Sequence, residues 1–353
     1  MAPACGWRLN VKCPDMKCLK MLSLFLLGAL SAAAAADHLH ENAQALLSAG
    51  QADQAIQTLQ KEIHGTPTAQ SYNLLCRTYF ALDDWDSGIP ACERAVSLEP
   101  SNGIYHLWLG RIYGEKAARS NFLAAIGMAK KVRAEFERAV ELSPQSWEAR
   151  SDLAEFYLEA PAIVGGGKDK ARAQAELLVP LNPAMAHWVK GRLAEKNKDN
   201  AAAEREYRAA IEASHDGAQA WLNLALFYRH TGRLDEMEVA LRTMATRPTV
   251  GSADRNDDRN DDGNAARPDA LVDGAGMLYK TGRDSALAMQ LLRRYLSSPN
   301  MVEAAPAFKA HYLLGALLEK QGERQGAADE YRASLALAHD FGRAQEGLER
   351  VTR

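Results

Sequence analysis

An acidic stretch near residue 260 has the residue types of a calcium-binding loop. Its oxygen donors and turn glycine are Asp258, Asn260, Asp262, Gly263 and Asp269. Hard cations such as Ca²⁺ take oxygen ligands at this spacing. Ala265 replaces the branched apolar residue that such loops carry, Pro268 precedes the last ligand, and Arg-Asn-Asp-Asp is repeated in tandem. A solvated linker is therefore the favoured interpretation of residues 254–269, and calcium binding is the alternative.

A glycine run before Lys168 is the second candidate for chemistry, because glycine-rich loops ahead of a lysine can bind phosphate. The phosphate-binding spacing requires glycine at position 162 and serine or threonine at 169, and the chain has Ala162 and Asp169 there. We interpret the run as a long turn. No His-Glu-x-x-His, Gly-x-Ser-x-Gly or Cys-x-x-Cys motif occurs. We expect no catalytic residue, no cofactor and no bound metal ion, so the predicted protein is not an enzyme.

A short pattern of leucine, a small residue and tyrosine recurs along the chain. It occurs at 109–113, 153–157 and 224–228. The small position recurs at Ala43, Cys76, Gly110, Ala154, Gly191, Ala225, Ala275 and Gly315. These positions are separated by 33, 34, 44, 37, 34, 50 and 40 residues. Such a period indicates a repeat architecture whose longer intervals contain insertions.

The pattern resembles the tetratricopeptide repeat (TPR) family, whose 34-residue helix-turn-helix unit has Leu-Gly-x-x-Tyr in its first helix. The second helix of that unit carries a small residue, an aromatic residue, alanine and then proline, as in Val132, Phe136, Ala139 and Pro144. The resemblance implies an all-α fold. We expect a right-handed superhelical TPR solenoid of about eight helix-turn-helix repeats, closed by a C-terminal capping helix. His106, His187 and His311 share a position where the family places a packing aromatic.

The first residues have the composition of a secretory signal peptide. Basic residues precede the apolar run 21–30, and five alanines end at Ala36. Cleavage there would leave Asp37 as the mature N-terminus and a periplasmic or secreted protein. Translation from Met16 and an uncleaved N-terminal anchor are the alternatives.

The repeat pattern and the leader together predict the domain organisation. The chain divides into a signal peptide (1–36), repeats 1–6 (37–248), a polar, flexible linker (249–267), repeats 7–8 (268–339) and a capping helix (340–353). Two insertions interrupt the repeats, near 114–131 and 160–168.

The resemblance implies a concave face lined by the first helices of the repeats. The candidate partner-binding residues on it are Asn73, Arg77, Arg111, Trp188, Arg192, Arg229 and Tyr312. Arginine suits carboxylates, and some TPR proteins hold a C-terminal carboxylate with lysine, asparagine and arginine. Asn73 and Arg77 are similar to part of that set, and the complete set is absent. The alternative is that these arginines pair with acids of the chain, as Arg111 could with Glu115.

The cysteines give one further expectation. Cys5, Cys13 and Cys18 lie in the predicted leader, so Cys76 and Cys92 remain, one on each helix of repeat 2. An oxidising compartment permits a disulfide between them. Two buried thiols are the alternative, and both stay open.

Composition and charge exclude some functions. The net charge of −3 gives no basic surface for nucleic acid. We expect a non-catalytic scaffold in the cell envelope that binds a protein or peptide through its concave face. The alternative is an accessory or assembly subunit that docks to an envelope enzyme or to a secretion or biogenesis complex.

Overall fold

The computed structural model describes residues 40–215, 217–247, 268–299 and 301–353, and this part of the chain is helical, without strands. The predicted leader, the predicted linker 249–267 and the calcium-loop residues 258–263 lie outside it. The first eight helices are α1 (40–48), α2 (Ala52–Gly65), α3 (Ala69–Ala81), α4 (Trp85–Leu98), α5 (Gly103–Ala118), α6 (Phe122–Leu142), α7 (Trp147–Glu159) and α8 (Lys168–Leu178). The others are α9 (Pro183–Lys196), α10 (Asn200–Ala213), α11 (Ala218–His230), α12 (Leu234–Ala245), α13 (Asp269–Thr281), α14 (Ser285–Leu296), α15 (Ala307–Lys320), α16 (Arg324–Leu337) and α17 (Gly342–Thr352).

Short polar residues start many of these helices by capping free backbone N–H groups. The Thr68 hydroxyl accepts the N–H of Ser71 at the start of α3, and the Asp84 carboxylate accepts the N–H of Ser87 at the start of α4. The same arrangement begins α5, α6, α7, α9, α10 and α14. Such side chains satisfy donors that lack an intrahelical acceptor, so the capping residues separate one helix from the next.

Consecutive helices pack as hairpins, and the hairpins stack into a superhelical array, which confirms the all-α TPR solenoid fold. From α3 onward, the odd-numbered helices up to α15 each pack against the helix that follows. First helices of neighbouring hairpins also contact each other, as α3 does with α5 and α13 with α15. Because the first helices pack closely together, they form the inner face of the curve. Helix α17 packs against α15 and α16 at the C-terminal end.

The hairpins close around small residues, as the repeat pattern predicts. Gly110 lies in the middle of α5, and a Cβ added there would lie 2.5 Å from two ring carbons of Phe136 on α6. Gly315 faces the ring of Tyr331 in the same way. The aromatic ring occupies the space that a side chain would need, which lets the two helices approach.

The glycine run forms a turn between α7 and α8. A single 3₁₀ turn spans Ala162–Val164, and Gly165 then takes a positive φ of 99°. At Gly166 an added Cβ would collide with the carbonyl of Ala160. Glycine is therefore required by this backbone path.

The array curves far enough to bring its two ends together. Helix α2 contacts α16, although 258 residues lie between Gly65, where α2 ends, and Arg324, where α16 begins. Gly50, in the turn between α1 and α2, has a φ of 73°, and an added Cβ would fall against the backbone nitrogen of Ala307. The described helices therefore form a closed ring.

Candidate binding site on the inner face

All seven predicted site residues lie on first helices of hairpins, in four groups. Asn73 and Arg77 are on α3, Arg111 on α5, Trp188 and Arg192 on α9, Arg229 on α11 and Tyr312 on α15. The structure brings Arg77 and Arg111 together on Trp108, and Asn73 lines a cavity beside Arg77. The remaining four are elsewhere along the ring. Tyr312 packs against Tyr331 and Phe341, with ring centroids 6.0 and 5.5 Å away, so it belongs to the aromatic packing beneath α17.

Trp108 is the centre of the first group. The Arg77 guanidinium carbon lies 5.3 Å from the indole centroid, and that of Arg111 lies 4.8 Å from it. Phe80 meets the indole edge-on at 5.5 Å. An aromatic ring attracts cations over its face, so Trp108 holds both guanidinium groups in place. We call Asn73, Arg77, Trp108 and Arg111 the arginine–tryptophan site.

Both arginines of this site also hold a carboxylate. Arg77 grips Glu303 with two hydrogen bonds, from Nε to Oε1 at 2.9 Å and from Nη2 to Oε2. The Arg111 Nε donates to Asp152 on α7 at 2.6 Å. Burial raises the pKa of Asp152, and the Arg111 guanidinium opposes that rise. The expected local partner Glu115 instead pairs with Arg119 at 3.0 Å.

Asn73 lines a cavity of about 230 Å³ beside Arg77. Its side chain is 3 % exposed, and its Nδ2 has no hydrogen-bond acceptor among the described residues. Gln44, Gln70 and Asn102 also face this space. A buried amide donor without an acceptor loses its hydration at a cost, so an acceptor that enters the cavity gains a favourable contact.

A second charged group lies on α7 and α9. Arg192 and Lys196 both pair with Glu159, the latter at 2.7 Å. Burial raises the pKa of Glu159, but hydrogen bonds and charge from Lys196 and Arg192 outweigh it and lower the pKa overall. Burial also raises the pKa of neighbouring Glu155, which Arg192 only partly opposes. The inner face therefore carries its own acids beside the cations expected from the sequence.

Sequence reasoning missed these partners because it considered only acids one helical turn away. Asp152 and Glu159 lie on a neighbouring hairpin, and Glu303 is 226 residues from Arg77. Trp108 was also missed, although it lies three residues before Arg111 on the same helix face.

A comparison with known protein families identifies a repeat in the second half of the chain. Residues 189–240, which run from α9 into α12, match the family model described as tetratricopeptide repeat. This segment is therefore a tetratricopeptide repeat. It is similar to a thermophilic TPR protein of Thermus thermophilus, with 16% identity and a TM-score of 0.45, covering 53% of this chain and 98% of that one. It is also similar to a TPR protein from Parabacteroides merdae, with 16% identity and a TM-score of 0.36, covering 81% of this chain and 99% of that one. No curated protein matches the sequence.

Three hairpins of this TPR array carry the same histidine–glutamate contact. The Nδ1 atoms of His106, His187 and His311 lie 2.6, 2.8 and 2.7 Å from glutamates of the following helix. These glutamates are Glu135, Glu206 and Glu330. Each precedes the aromatic residue that packs on the small position, so the histidines lie at the expected packing position and in addition tie the two helices together.

The TPR hairpin that carries Asn73 and Arg77 is also cross-linked. Cys76 and Cys92 form a disulfide between α3 and α4, with Cα atoms 5.2 Å apart. In the described part of the chain, no group of three or more His, Cys, Asp or Glu side chains is arranged to hold a metal ion. No described helix is long and apolar enough to cross a membrane.

Proposed function

We propose that this protein is a non-catalytic scaffold that binds a protein or peptide segment at the arginine–tryptophan site. The observation that carries the proposal is the bidentate grip of Arg77 on a carboxylate beside the unpaired amide of Asn73. A peptide offers both groups, a carboxylate on a side chain or C-terminus and carbonyl acceptors along its backbone. TPR arrays in general bind other proteins along their inner face.

The chemistry of the site favours an acidic segment. Arg77 and Arg111 present planar donor forks, and Trp108 and Phe80 add rigid aromatic surface. Because Arg77 remains 23% exposed, salt should weaken the contact by screening it.

Site-specific photo-crosslinking tests this proposal. A photoreactive phenylalanine at Gln70, which lines the cavity, should crosslink a partner from extract of the source cells. The matched control carries it at Ser97, exposed on the outer helix α4. We expect the Gln70 adduct to disappear in the Arg77→Ala/Arg111→Ala background and at 1 M salt, where the Debye length is about 3 Å. Equal crosslinking from Ser97, or an adduct that survives the double substitution, contradicts the proposal.

We further propose that the protein acts in the cell envelope after export. The basic and apolar leader supports this, and the Cys76–Cys92 disulfide suits an oxidising compartment. N-terminal sequencing of the protein from fractionated cells should give Asp37. An intact Met1 or Met16 on membrane-bound material contradicts cleavage.

A further inference from the structure

Four polar contacts join the first two hairpins to the last helices of the array. Besides the Arg77–Glu303 pair, Asp83 in the turn before α4 pairs with Lys309 at 2.9 Å and with Arg343 at 3.2 Å. The carboxylate of Asp53 on α2 accepts the backbone N–H of His339 at 2.9 Å. These contacts span 226 to 286 residues of sequence, so they depend on the curvature of the whole array.

The segment that presents Glu303 is held firmly by its own hairpin. We call residues 301–306 the closing segment. The hydroxyl of the fully buried Tyr295 accepts the N–H of Val302 at 3.1 Å and donates to the carbonyl of Ala305. Ala305 itself is only 4% exposed. Glu303 therefore projects from a fixed turn toward Arg77.

At the site, Glu303 occupies the place of an acidic ligand. Its carboxylate accepts hydrogen bonds from the Nε and Nη2 atoms of Arg77, and the same guanidinium lies over the ring of Trp108. The Glu303 side chain is 15% exposed, so the pair keeps contact with solvent and can exchange. The cavity beside it, with the unpaired amide of Asn73, is left open.

We propose that the closing segment is an internal ligand of the arginine–tryptophan site, and that an acidic segment of a partner binds there by displacing it and opening the ring. This rests on the proposed function of that site. The internal carboxylate defines the ligand chemistry as an acidic peptide. It also weakens the apparent affinity for a partner, because only the fraction of molecules with an open site can bind. Because Glu303 belongs to the same chain, it competes intramolecularly with any free acidic peptide.

Hydrogen exchange measured by mass spectrometry tests the closure without any partner. In Glu303→Gln, we expect faster exchange in peptides covering residues 73–83 and 301–309, and unchanged exchange in α10 as an internal control. Arg77→Glu should do the same. Arg77→Glu/Glu303→Arg restores opposite charges and should return both segments to wild-type protection. Unchanged exchange in both single variants, or no recovery in the exchanged pair, overturns the closing contact.

Peptide binding tests the displacement. The probe is a fluorescein-labelled peptide Met-Val-Glu-Ala-Ala-Pro, with Met-Val-Gln-Ala-Ala-Pro as its matched control, titrated at low salt by anisotropy. We expect an apparent Kd at least tenfold lower for Glu303→Gln than for the wild type. The double variant Arg77→Ala/Glu303→Gln should bind the glutamate peptide no more tightly than the wild type does. The glutamine peptide should show no difference in apparent Kd between the wild type and Glu303→Gln. If the wild type and Glu303→Gln bind the glutamate peptide with equal affinity, the peptide does not compete with Glu303. This result overturns the displacement proposal even where hydrogen exchange has shown that the ring opens. Failure of the protein with otherwise wild-type sequence to form any Gln70 crosslink, with both of these tests passed, would instead contradict the proposed function.

Discussion

The packing of small residues against aromatic rings makes a sharp prediction at Gly110. A Cβ there would lie 2.5 Å from both the Cδ1 and Cε1 atoms of Phe136, whose side chain is 7% exposed. Such overpacking costs about 1–3 kcal/mol. Replacing glycine with alanine inside a helix returns about 0.5–1 kcal/mol. The difference between the middles of these two ranges leads us to expect that Gly110→Ala lowers the free energy of unfolding by about 1 kcal/mol.

Gly114 provides the matched control on the same helix. It lies one turn further along α5, and an added Cβ meets nothing within 4 Å. Gly114→Ala should therefore stabilise the protein by about 0.5–1 kcal/mol through helix propensity alone. The two substitutions change the same atoms in the same helix, so their opposite signs isolate the contact with Phe136.

Urea and thermal unfolding followed by circular dichroism measure the difference. We expect the midpoint of Gly110→Ala to fall and that of Gly114→Ala to rise, by about 2–4 °C for each kcal/mol. Because repeat arrays can unfold in parts, hydrogen exchange within α5 and α6 should report the same order. A Gly110→Ala protein as stable as Gly114→Ala would refute the packing argument.

Two other substitutions test the cross-link and an ion-pair network. Replacing Cys76 and Cys92 with serine should lower the free energy of unfolding by about 3 kcal/mol, because their disulfide closes a loop with a sequence separation of 16. Unfolding of the wild type with and without reductant measures this effect. A wild-type protein whose stability does not change with reductant contradicts the prediction. Burial raises the pKa of Glu204, but hydrogen bonds from Arg233, Arg208 and Tyr228 lower it to about 2. Its stabilising effect is therefore full above the ordinary value of 4.5 and is lost as pH falls toward 2. Glu204→Gln should be less stable than the wild type at pH 7. In thermal scans, it should lose less stability than the wild type as the pH falls from 4.5 toward 2.

The recurrence of small residues made the fold predictable from the sequence. A glycine, alanine or cysteine that recurs at intervals of 33 to 50 residues can be recognised without a structure, because each one marks a local contact within one hairpin. The candidate inner-face arginines were predictable for the same reason, because their position on a first helix follows from the period. Their partners were not. Asp152 reaches Arg111 from the next hairpin, and that distance depends on how the helices α5 and α7 are stacked.

Arg77 differs from the other inner-face arginines in where its carboxylate comes from. Arg111 and Arg192 pair with acids of an adjacent hairpin, so their contacts survive any change in the overall curvature that keeps neighbours stacked. The acid that Arg77 holds comes from the far end of the array, where small rotations between successive hairpins have accumulated. A slight loosening at any hairpin boundary therefore moves Glu303 more than Asp152. Arg77 is therefore the inner-face arginine whose carboxylate is displaced most readily when the curvature changes. It also lies beside the open cavity and the Asn73 amide nitrogen, which has no acceptor among the described residues.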